Sequence, residues 1–112
     1  MSILFVLDED KKVVPETDTL KWGKWMDAGD RRVGQTVING KTVSTVFLGT
    51  GHSGPGLNKE WDYFFETAII SPDGEVDIID RYKTFTSALL GHNKVVKTEE
   101  DLCSHNLSLS EP

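Results

Sequence analysis

From residue 30 to residue 52 the chain reads DRRVGQTVINGKTVSTVFLGTGH, two β-branched runs (31–38 and 41–48) broken by Asn39-Gly40. A type I′ turn needs positive φ at both central positions, and Asn-Gly tolerates it best, so the pattern predicts a two-residue hairpin. That loop length sets the register. Ile38 faces Lys41, Thr36 faces Val43, Gly34 faces Thr45 and Arg32 faces Phe47. The opposite face carries Val37 with Thr42, Gln35 with Ser44, Val33 with Val46 and Arg31 with Leu48.

The flanking segments are read the same way. Residues 3–7 form a short apolar strand ended by the acidic turn Asp8-Glu9-Asp10. Residues 11–15 are a second arm or loop, closed by Pro15. Asp18 or Thr19 caps a helix over 20–28, with Leu20, Trp25 and Met26 buried and Gly29 as its stop. Residues 49–59 (GTGHSGPGLNK) hold four glycines and a proline, the composition of an exposed loop. The most apolar run, 61–70 (WDYFFETAII), predicts a central strand. Ser71-Pro72-Asp73-Gly74 turns it into a partner strand over 75–80. A helix follows over 82–90, with Thr84 at its N-cap, Phe85, Ala88 and Leu89 at helical spacing, and Gly91 ending it. Val95-Val96 extend it or pack alone, and residues 98–101 cap one further turn. The expected architecture is a single α+β domain over residues 1–103. It has an antiparallel sheet of four to five strands from two hairpins, with one or two short helices on one face. Residues 104–112 form a polar, mobile tail.

Composition narrows the function. The 112 residues carry 12 basic and 18 acidic side chains, net −6, which disfavours general nucleic-acid binding. Arg31, Arg32, Lys21, Lys24 and Lys41 still fall in one short span as a local basic patch. One cysteine, Cys103, permits no intrachain disulfide and no cysteine-based zinc cluster, which fits a reducing cytosol. The N-terminal apolar run is too short for a signal peptide or membrane span, and no membrane association is expected.

Glu66 is the residue hardest to explain as packing. Strand alternation puts it on a face with Phe64, Ala68 and Ile70, where a carboxylate needs a partner or a shifted pKa. Arg31, Arg32 or Arg81 can pair with it. His52 and His92 complete a His/Glu/His set of metal-ligand types, but no HxH, HExxH or HxxE spacing supports a metal. His92 reads equally as a helix C-terminal cap, favoured by the macrodipole. Trp22 and Trp25 read as packing against the sheet. The glycine-rich stretch from Gly49 offers amides to an anion, yet fits neither the Walker nor the dinucleotide fingerprint. Arg31 or Arg32, the hairpin hydroxyls and Glu66 together suggest a polar pocket. The bland reading of those hydroxyls is cross-strand Thr/Ser pairing.

The runs DRRVGQTVINGKTVSTVFLG, Phe65-Glu66-Thr67 and RYKTFTSALLGH at 81–92 resemble a family of small proteins encoded by phages and prophages. Typical members read VSTVFLGLDH, FETMVFGG and RYSTWEEAEAGH, and the likeness spans residues 1–96. The family carries no assigned activity, so the resemblance implies a phage accessory protein rather than a reaction. It places Arg31, Arg32, Thr45, His52, Glu66, Arg81, Tyr82 and His92 on motif positions. Thr50-Gly51-His52 stands where the family has LDH, so the aspartate of that motif is missing.

The leading expectation is therefore a non-enzymatic, cofactor-free binder in the cytosol of an infected cell. It would counter host defence by sequestering a small signalling nucleotide, with Arg31, Arg32, Trp25 and Tyr63 as cationic and aromatic contacts. A homo-oligomer is expected, because small domains build deep pockets between subunits. The alternatives are an inhibitor that binds a host defence protein through an acidic surface, and a small hydrolase using Glu66 with His52 or His92.

Overall fold

The computed structural model describes residues 4–52 and 62–110, with side chains as far as residue 102. Its fold is α+β. Strands β1 (Phe5–Leu7) and β2 (Val13–Pro15) form a small antiparallel ribbon, and helix α1 (Thr19–Ala28) follows. Strands β3 (Arg32–Ile38), β4 (Lys41–His52), β5 (Tyr63–Ile70) and β6 (Val76–Tyr82) form an antiparallel meander in the order β3-β4-β5-β6. Helix α2 (Phe85–Ser110) packs across all four strands.

Local chemistry explains most of these elements. Asp8 closes the first ribbon by accepting from the Asp10 and Lys12 amides at 2.8 and 2.9 Å. Asp18 caps α1 by accepting from the amides of Leu20 and Lys21. Asn39 and Gly40 both take positive φ, as a type I′ turn requires. Gly74 does so in the second hairpin, where its amide donates to the Ser71 carbonyl at 2.9 Å. Thr84 caps α2 through reciprocal bonds with Ser87: each backbone N–H donates to the other's hydroxyl, at 3.1 and 3.2 Å.

Strand alternation divides the sheet. Val43, Thr45 and Phe47 of β4 and Phe65, Thr67 and Ile69 of β5 are buried beneath the helices, while the residues between them are half-buried on the other face. Phe47 packs against Phe65 and, edge-on, against Trp25. Leu7, Tyr82 and Ala88 complete this cluster.

Several expectations are corrected. Arg32 faces Val46 rather than Phe47, because the β3–β4 register shifts between Arg32 and Gly34. The same slip dissolves the expected Val33–Val46 and Arg31–Leu48 pairs, and the Phe47 amide donates to the Arg31 carbonyl. Leu20 is exposed, while Trp22 ties α1 down by donating from Nε1 to the carbonyls of Phe5 and Gly49, both at 3.1 Å. Gly49 through His52 belongs to β4 rather than a loop. Gly49 adopts φ +77° where a Cβ would lie 2.6 Å from the Met26 methyl, so glycine serves the approach of α1. Residues 53–61, including the remainder of that stretch and Trp61, lie outside the described residues. Tyr82 ends β6 instead of opening a helix, since it pairs with Phe65 and the helix waits for the Thr84 cap. Gly91 does not stop α2, which runs on to Ser110, so the expected tail is helical in backbone over 104–110. A Cβ on Gly91 would overlap the Tyr82 ring: this glycine answers a close approach, not a helix end.

Candidate functional site

The nine residues singled out in the sequence do not converge on one pocket. They divide among five places.

The first is a buried polar chain under α2. His92 projects from the middle of the helix onto the sheet, and its Nδ1 lies 2.8 Å from the Thr45 hydroxyl while Nε2 lies 3.0 Å from that of Thr36. Thr45 and Thr67 share a hydrogen bond between their hydroxyls, and Thr67 also bonds the phenol of Tyr82. Gly34 makes room for the imidazole, because a Cβ there would come within 2.8 Å of it. Burial holds the His92 pKa below the ordinary histidine value. Burial also raises the Tyr82 pKa, aided by the Asp80 carboxylate and opposed by the Thr67 bond. His92 is thus a neutral tie between helix and sheet rather than a cationic cap at a helix end. Among the described residues every buried side-chain nitrogen or oxygen has a partner.

The second place is the opposite face of the sheet. Glu66 sits directly across from Arg81, whose Nε donates to its Oε2 at 3.1 Å. Arg81, not Arg31 or Arg32, is therefore the guanidinium that neutralises the carboxylate. Since Thr67 bonds within the His92 chain, its neighbour Glu66 points away from His92. The expected Glu66/His92 pairing does not form.

Arg31 and Arg32 line a shallow cleft of about 360 Å³ with Gly29, Asp30 and Val46. His52 closes the far end of β4, its Nε2 3.0 Å from the Thr50 hydroxyl. Trp25 belongs to the core.

A cavity that sequence reasoning missed is better built for an anion. It measures about 400 Å³ and is lined by Asp10, Lys11, Lys12 and Val13 of the first ribbon and by Lys83 to Thr86 at the start of α2. Lys11 takes φ +64° in the Asp8 turn, and its amide donates to the Asp8 carbonyl at 3.0 Å. Lys83 is held from two sides, 3.2 Å from an Asp62 carboxylate oxygen and 5.2 Å above the centre of the Tyr63 ring. The Thr84–Ser87 cap satisfies two of the first amides, while those of Phe85 and Thr86 have no acceptor within the helix. The signal in the sequence was slight: Lys11-Lys12 after an acidic turn and a lysine before a helix cap, segments that only the fold unites.

A third concavity, about 250 Å³, lies between β6 and α2 and is lined by Tyr82, Gly91, Lys94 and Val95 among others. No described helix is long and apolar enough to cross a membrane. Comparisons with protein-family models, curated proteins and solved structures return no match.

Proposed function

We propose that this chain is a phage accessory protein that binds, without turnover, an anionic small molecule of the nucleotide class in the host cytosol. The observation that carries this reading is the convergence of Lys11, Lys12 and Lys83 on one cavity walled by Phe85. Three ammonium groups against the carboxylates of Asp10 and of Asp62, which pairs with Lys83, leave the hollow net cationic in a chain of net charge −6. Phosphate oxygens suit both the lysines and the first amides of α2, and a base can rest on the Phe85 ring. The volume falls within the usual range of small-molecule sites, roughly 300–1,000 Å³. The phage resemblance of residues 1–96 supplies the cellular setting, and sequestration of a signalling nucleotide is the role such a binder would play there.

Calorimetric titration with cyclic and linear nucleotides and inorganic phosphate tests the reading. Saturable heat is expected from a nucleotide, reduced about tenfold or more in the Lys11→Glu/Lys12→Glu variant and weakened by added salt. No heat from any member of the panel, or binding indifferent to that variant, overturns it.

A further inference from the structure

Both helices lie on one side of the main sheet, and no described element covers the other. On that uncovered face Val37, Val76 and Ile78 are 68, 54 and 52 % exposed, an unusual degree for large apolar side chains on a sheet. Val46, Ala68 and Ile70 lie between them and are half-buried only by their neighbours in the sheet. The polar members at its centre, Thr42 and Ser44, are uncharged. Glu66 of β5 is neutralised on this face by Arg81 of β6, and Arg32, opposite Val46, adds an exposed cation at the β3 edge.

We infer that a second copy of this chain docks on this face, sheet against sheet, with the helices outside. Charge selects that occupant. The apolar centre of the face offers a strongly charged partner nothing, whereas a two-fold axis sets like apolar surface on like and leaves Arg32 at the rim. An adjacent carboxylate and guanidinium are self-complementary under such an axis, since Glu66 of one copy can meet Arg81 of the other. Size is adequate. Four strands about 4.8 Å apart and about seven residues long give a face on the order of 19 by 23 Å. Two such faces bury on the order of 900 Å² in projection, and more over pleated side chains, close to the roughly 1,200 Å² at which specific interfaces begin. The dimer is therefore reversible and concentration-dependent. Net charge −6 on each copy opposes it, so added salt tightens it. That sign is opposite to the one expected for an anion at the lysine cavity, which keeps the two readings separable.

Sedimentation equilibrium of the full chain over a wide concentration range is the test. A monomer–dimer equilibrium is expected, weakened about thirtyfold by Ile78→Lys. It should be unchanged by Leu90→Lys, which alters an equally exposed leucine on α2. Circular dichroism of both variants checks that the exposed substitutions leave the fold intact. A chain monomeric at every concentration overturns the inference. So does a dimer that Ile78→Lys leaves intact or that Leu90→Lys dissolves.

Discussion

The Nδ1 of His92 lies 2.8 Å from the hydroxyl of Thr45, joining the middle of α2 to the centre of the sheet. Thr45 is fully buried and also bonds Thr67, so its hydroxyl serves two partners at once. Thr45→Val keeps the shape and removes both bonds, leaving a buried imidazole nitrogen and the Thr67 hydroxyl short of a partner. The expected loss is about 1–3 kcal/mol in urea unfolding. A threonine of the solvated hairpin face, such as Thr42, should cost much less when changed to valine.

The same burial gives stability a pH dependence. Unfolded His92 takes up a proton near pH 6.5, while the folded chain holds its pKa lower. Between the two values the unfolded state binds more protons, so stability rises with pH there and is lost as pH falls below about 6.5. One histidine supports a slope of at most about 1.4 kcal/mol per pH unit. Unfolding curves between pH 7.5 and 5 should show this slope, and His92→Gln, which cannot titrate, should flatten it.

Legibility in the sequence followed the range of the interactions. Asn39-Gly40 and Ser71 to Gly74 encode their turns by their own backbone preferences, so both hairpins and most of the β3–β4 register could be read directly. The register shift at Val33 and the irregularity between Phe47 and His52 could not, and the second lies where Trp22, Met26 and Leu4 of distant segments meet Gly49 and Thr50. Glu66 was recognisable as a carboxylate in need of a cation. Choosing Arg81 among three arginines depended on a cross-strand register that itself shifts between Thr67 and Ala68. Gly91 misled for a related reason: a glycine that stops a helix and one that admits a tyrosine ring look alike until the ring is in place.

That contact with Tyr82 makes a sharp prediction. Gly91→Ala raises helix propensity by about 1 kcal/mol in isolation, yet the added methyl would overlap the phenol ring. The packing penalty, roughly 1–3 kcal/mol, should win, and the variant should unfold at lower temperature than the parent. Adding Tyr82→Leu removes the ring and should recover part of the loss. Thermal unfolding of the two single variants and the double variant gives the coupling directly.

The Glu66–Arg81 pair is the last case, and its position decides the magnitude. The two side chains retain 15 and 27 % of their exposure, so the charges are partly solvated and the gain from pairing is small. Removing one partner is worse than removing both, because the surviving charge keeps its desolvation without its counter-ion. Glu66→Gln should fold cooperatively and lose about 1–2 kcal/mol in chemical unfolding, with Arg81 the group left uncompensated. Arg81→Leu alone should cost a similar amount. The double variant Glu66→Leu/Arg81→Leu should lie close to the parent, since two half-buried apolar side chains suit a sheet face already rich in valine and isoleucine. A double-mutant cycle in which the two single losses simply add would show that the pair contributes nothing as a pair, and that Glu66 is held in place by its neighbours alone.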